Sequence, residues 1–162
     1  RAALQHRWQE RVATGGNAFV DMLCEEDLEL ALEQLVPYAH WVTPEISPKR
    51  FDTHFFIAAA PPGQVAQHDG SEAVDSFWIR PADALAECLQ GRRTIIFPTL
   101  SNLALLAQTA DVAGALQAAR SRPVRRIQPT LGKRADGKLI PLLAPDCGYP
   151  DLGPDLMNLV AR

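Results

Sequence analysis

The sequence predicts a single α/β domain over residues 1–162, and three observations carry that expectation. Segments of strand character and segments of helical spacing alternate irregularly along the chain, with no internal repeat and no low-complexity linker. The chain has 162 residues, 47% of them hydrophobic, and a domain of about 150 residues buries roughly 68–70% of its unfolded surface, so one core is attainable. Gly and Pro clusters, among them Gly15-Gly16, Pro61-Pro62-Gly63 and Gly91, punctuate the segments at spacings expected of short elements.

In chain order, Leu4, Trp8 and Val12 recur every fourth residue up to Gly15-Gly16, which predicts a helix over 1–13 and a stop. Asn17 is placed to cap a second short helix through Phe19, Met22 and Leu23. The leucines of 28–35 satisfy both periods in part, and a helical turn after a short extended piece is expected there. Tyr38–Thr43 is aromatic and β-branched and stops at Pro44, so it reads as a strand. Phe51–Ala60 begins with alternation and becomes a continuous apolar run, which predicts a central strand buried on both faces, with Phe55 and Ile57 on one face and Phe56 on the other. A third strand is expected over Ala73–Ile79. Pro81 opens a helix striped by Ala84, Leu85, Cys88 and Leu89 and closed by Gly91; Pro98 and Thr99 open another; Asp111 caps a third through Leu116 and Ala119. The tail reads as two strands, Val124–Leu131 and Leu139–Leu143, followed by a loop holding Pro145, Pro150 and Pro154.

Charge and cysteine usage narrow the class. Seven acids and no Lys or Arg lie between Val12 and Pro48, whereas seven basic residues face the single acid Asp136 between Arg120 and Lys138. Such polarity reads as a solvated face or as steering of an anionic ligand. The basic run lacks interleaved aromatics and the net charge is -3, which argues against nucleic acid. Cys24, Cys88 and Cys147 form no C-x-x-C, so neither a disulfide framework nor a zinc knuckle is indicated; a reducing, cytoplasmic setting is expected, with Cys24 and Cys88 in the core and Cys147 exposed. The chain starts without Met in what reads as mid-helix, as a fragment or a processed chain would.

Familiar catalytic signatures are missing from the sequence: it has no G-x-S-x-G, P-loop, G-x-G-x-x-G or H-E-x-x-H. Asp52 and His54 share one strand face at i, i+2, where they either pair or bind metal. His68-Asp69-Gly70 reads as a turn.

A longer order of small motifs is more telling. Trp41-Val42-Thr43-Pro44 precedes Arg50-Phe51-Asp52-Thr53-His54-Phe55-Phe56, then come Glu72, Trp78-Ile79-x-Pro81-x-Asp83-Ala84-Leu85 and Phe97-Pro98-Thr99. From about Leu35 to Ala107 this order resembles the downstream part of the Nudix hydrolase superfamily, in the branch of the coenzyme A diphosphatases. The resemblance implies a Nudix-type α/β/α sandwich with a mixed β-sheet, N-terminally incomplete. Residues 1–34 would then be a helical segment, 35–110 the best-matching region and 111–162 a C-terminal extension. It implies a hydrolase of a nucleoside-diphosphate-linked substrate, coenzyme A or acyl-CoA among them, and a nucleotide-like partner; neither nucleic acid nor membrane is implied, and a homodimer stays open.

The family's metal-binding box, G-x5-E-x7-R-E-U-x-E-E-x-G-U, is not in this sequence. The Mg2+ or Mn2+ that the resemblance implies would therefore lack its main ligands, and the 162 residues alone are expected to be inactive. Glu72 is the residue the resemblance offers as an outer metal ligand and catalytic base; a solvent-facing carboxylate is the other reading. Arg50 either forks onto a phosphate or pairs with an acid. Thr43, Arg50, Asp52 and His54 are the expected substrate-binding surface. The alternative is a Nudix-like module that binds a nucleotide or a partner without cutting it.

Overall fold

A computed structural model describes residues 2–64, 68 and 75–160. The chain divides into two compact units, Arg1–Gln34 and Leu35–Arg162.

The first unit is a helix pair, α1 (Ala2–Ala13) and α2 (Ala18–Glu25), followed by a 3-10 turn at Leu32–Gln34. Gly15 and Gly16 join the helices with φ of +80° and +67°, a conformation that costs a residue with a Cβ but not glycine. Trp8 is the buried residue of α1, and its indole N–H donates to Glu26 Oε1 at 2.6 Å. Arg7 pairs with the same carboxylate at 2.7 Å, and Arg11 lies 4.0 Å over the Trp8 ring. Two expectations are corrected here. Asn17 precedes α2 at φ/ψ of -88°/1°, outside the extended region usual for a cap, and its side chain makes no cap hydrogen bond. Cys24 is exposed, because α2 buries none of its residues.

The second unit is mixed α/β. Its sheet runs β2 (Asp52–Ile57), β1 (Val36–Val42), β3 (Arg126–Ile127), with β1 antiparallel to β2 and parallel to β3. A separate hairpin pairs β4 (Thr130–Lys133) with β5 (Leu139–Leu142). Helices α3 (Pro81–Leu89), α4 (Phe97–Leu106), α5 (Val112–Ser121) and α6 (Gly153–Val160) complete it. Pro81 and Pro98 sit in the first turns of α3 and α4, where the missing N–H costs nothing, and Asp111 caps α5 by accepting from Gly114 N at 2.7 Å. One core gathers Val36, Tyr38, Ala39 and Trp41 of β1 with Phe97, Ala119 and Ile127; a second joins Cys88, Leu100 and Leu156.

The central strand is therefore β1, and β2 lies at the sheet edge. Its burial alternates: Thr53, Phe55 and Ile57 turn toward the core, while Asp52, His54 and Phe56 are exposed. Phe56 is 54% exposed and Phe51 56%, so the doubly buried strand expected of Phe51–Ala60 is corrected, and the strand ends at Ile57 instead of Ala60. The reason is that β2 packs one face on the core through Phe55 and Ile57 and leaves the other open, and with β3 on the far flank of β1 it has one sheet neighbour.

Further corrections have local causes. Of the strand expected over Ala73–Ile79, residues 73–74 lie outside the described residues and Asp75–Ile79 is irregular, with Trp78 74% exposed. Aromatic β-propensity expresses fit to a pleated, half-buried surface, and no partner strand meets this segment among the described residues. Val124–Leu131 is not one strand: Pro129 cannot donate to a ladder, and the chain breaks between β3 and β4 there. The proline-rich tail is not all loop, since Pro154 stands in the first turn of α6 and Leu156 is buried beneath that helix. Cys88 is buried as expected; Cys147, expected exposed, is half-buried against the first core. Among the described residues no helix is long and apolar enough to cross a membrane.

Candidate functional site

Tyr38 sets the register on which the site depends. Pro37 pairs with Phe56 and Ala39 with Phe55, so Tyr38 is the extra residue of a bulge in β1. Beyond the bulge His40 faces His54 directly, Trp41 faces Thr53, and Val42 faces Asp52. Trp41 is fixed on the core side by hydrogen bonds from its indole N–H to Asn102 Oδ1 (3.2 Å) and Tyr149 Oη (3.0 Å). With Trp41 turned inward, its neighbour His40 turns to the opposite face, where β2 presents Asp52 and His54.

There the three side chains converge. His40 Nε2 lies 2.6 Å from Asp52 Oδ1, His54 Nε2 lies 3.9 Å from the same oxygen, and the imidazole rings stack with centroids 4.0 Å apart at 18°. One ligand atom from each of the three residues fits within 4.8 Å of the others. The hydrogen bond with His40 holds the Asp52 carboxyl below the usual carboxylate range; desolvation opposes it, and the nearby His40, His54 and Arg126 act in the same direction as the hydrogen bond. Arg126 belongs here because β3 pairs it with His40 from the other side.

Thr43 and Arg50 close the same end of the strand pair. Thr43 N donates to Phe51 O and Phe51 N to Thr43 Oγ1, both at 3.0 Å, which extends the ladder one step past Val42 and Asp52. Arg50 Nε donates to Thr43 O at 3.2 Å, and among the described residues no carboxylate pairs with Arg50. The fold thus gathers Thr43, Arg50, Asp52 and His54 along one strand pair. Glu72 lies outside the described residues.

Two features were missed in the sequence. His40 is one, although its place two residues before Val42 in Tyr38-Ala39-His40-Trp41 would put it opposite the Asp52-x-His54 strand once a register is assumed. The other is the surface beside α3, an open groove of about 610 Å³ where Arg93 stacks 3.8 Å over Phe77 beside the exposed Trp78.

The divalent ion of the resembled family is poorly matched by these groups. Magnesium and manganese favour carboxylate, carbonyl and water oxygens, whereas the one three-residue cluster of ligating groups among the described residues supplies two imidazoles and a single carboxylate.

The described architecture is mixed α/β, and the sequence is distantly similar to a Nudix enzyme. The relative that carries this is the acyl-coenzyme A diphosphatase NUDT19 of Xenopus laevis, 27% identical over 157 residues. That similarity covers 93% of this chain but 41% of the relative, so the chain spans about two fifths of the length of the protein it matches. No family profile matches the chain, and no solved structure matches it.

Proposed function

We propose that the chain is the downstream part of a Nudix-type hydrolase that cleaves the phosphoanhydride of a nucleoside-diphosphate-linked substrate, with coenzyme A or an acyl-CoA in that class. The observation that carries this reading is the similarity to an acyl-coenzyme A diphosphatase along nearly the whole chain. On this reading the whole chain belongs to one α/β/α sandwich, and the Thr43–Arg50 end of the β1–β2 pair faces the substrate. The Arg50 guanidinium, oriented through Nε by the Thr43 carbonyl, turns its remaining donors to a phosphate. Glu72 serves as an outer carboxylate. Because the family's carboxylate box is not in the sequence, these residues bind the nucleotide without turning it over, and a non-catalytic nucleotide-binding module is favoured by the same observation.

Calorimetric titration with ADP and with coenzyme A tests the reading. A charge-assisted hydrogen bond is worth about 1.5–3 kcal/mol, so Arg50→Ala weakens binding by at least about tenfold while Arg125→Ala leaves it nearly unchanged. The reverse order moves the ligand to the basic tail. Release of nucleotide from coenzyme A by the chain with Mg2+, abolished in Glu72→Gln, would overturn the expected inactivity.

A further inference from the structure

We infer that His40, Asp52 and His54 form a binding site for a borderline transition-metal ion, zinc or its neighbours cobalt and nickel, on the open face of the β1–β2 pair. This goes beyond the hydrolase reading and stands without it, because it uses only the strand register and the chemistry of three side chains.

The donor set selects the ion. Two imidazole nitrogens and one carboxylate oxygen suit zinc, nickel and cobalt, and three protein ligands leave a fourth position for water, as in open zinc sites. The spacing is close to what such an ion needs. With metal–ligand bonds of about 2.0–2.2 Å in tetrahedral geometry, neighbouring ligand atoms stand roughly 3.4 Å apart. The two measured separations to Asp52 Oδ1, 2.6 and 3.9 Å, bracket that value. Closing on an ion opens the first by less than an ångström and shortens the second by about half of one.

The backbone supplies the rigid part of the site and the side chains the adjustable part. His40 and His54 are paired residues of an antiparallel ladder and Asp52 is two residues from His54, so no loop has to move. His40 is the anchored ligand, its side chain 18% exposed, whereas those of Asp52 and His54 are 62% and 59% exposed and free to rotate. Rotation is required, because imidazole lone pairs lie in the ring plane and the stacked rings must fan apart to point at one centre. The ion replaces the hydrogen bond between His40 and Asp52, whose proton is released to solvent. Arg126 opposes a dication, but its side chain is exposed and can swing into solvent.

The test is calorimetric titration of the full chain with zinc chloride, made in a Cys24→Ser background because that exposed thiol would itself bind zinc. One equivalent of zinc binds, Mg2+ does not compete, and His40→Ala, His54→Ala and Asp52→Asn each weaken binding by about tenfold or more. Arg126→Ala tightens it, and His6→Ala and His68→Ala leave it unchanged. His54→Gln, which keeps polarity on an exposed strand position, guards against misfolding, and far-UV circular dichroism verifies the fold of every variant. Zinc binding that survives both histidine substitutions, competition by Mg2+ at equal strength, or no stoichiometric binding by the folded chain would overturn the assignment.

Discussion

Arg122 is the residue whose loss should most directly disturb the site from a distance. The bulge at Tyr38 takes that residue out of the β1–β2 register, and its carbonyl is met from the end of α5 by Arg122 Nη2 at 2.7 Å. The same guanidinium lies 5.3 Å from the Tyr38 ring and 5.6 Å from the Tyr149 ring. A hydrogen bond to a charged group contributes about 1.5–3 kcal/mol, and each cation–π contact about 0.5–1 kcal/mol where solvent is near. Arg122→Ala should therefore destabilise the second unit by about 2.5–5 kcal/mol, and Arg122→Lys, which keeps the charge but loses the planar fork, by about half as much. Urea unfolding followed by tryptophan fluorescence gives the stability, and imidazole NMR resonances of His40 and His54 give the register. Because a one-residue slip carries every side chain of a strand to the other face, the alanine variant should also broaden or split those resonances. Stability within about 0.5 kcal/mol of the parent chain, the scatter of ordinary surface substitutions, would refute the assignment of Arg122 as the anchor of the bulge.

Two further outcomes follow from packing and from charge. Leu100 is fully buried between Cys88 and Leu156, so Leu100→Ala should cost about 2–5 kcal/mol in the same urea assay, whereas truncating the exposed Leu89 should cost far less. In the first unit, the Trp8 indole N–H and, less strongly, Arg7 hold the Glu26 carboxyl below its ordinary value of 4.5; a lowered folded-state pKa means that this stabilisation is complete above 4.5 and is lost as pH falls below it through the folded value. Acid titration of the helix pair by circular dichroism and Trp8 fluorescence should show this step in the parent chain, and Glu26→Gln should lack it.

Elements with local punctuation were legible in the sequence. Pro81 with Gly91 delimits α3, Pro98 opens α4 and Asp111 caps α5, and in each case one residue's covalent geometry or side chain decides the boundary. The place of Phe51–Ala60 in the sheet was not legible. An apolar run reads alike whether one strand or two will flank it, and the residue that settles the matter, Ile127, pairs with Trp41 from far along the chain. Asp52 and His54 were recognised because period-two alternation is visible within one strand. His40 was not, because its partnership depends on register, and the register depends on a single extra residue at Tyr38 that no periodicity announces.

In a strand buried on both faces, Asp52 and His54 would be covered, and burying a carboxylate beside two imidazoles without full pairing would cost several kcal/mol, enough to be selected against or neutralised. With that face open the same residues remain hydrated, and the His40 hydrogen bond holds the Asp52 carboxyl below its ordinary range. The exposure that removes Phe56 from the core is thus what leaves Asp52 and His54 accessible to an ion or a phosphate. Returning that face to an apolar environment should remove both uses at once. A Phe56→Lys substitution, which keeps the outer face solvated, should spare the fold and leave zinc binding nearly intact, whereas Asp52→Leu should abolish zinc binding while the core beneath, built from Trp41, Phe55 and Ile57, persists.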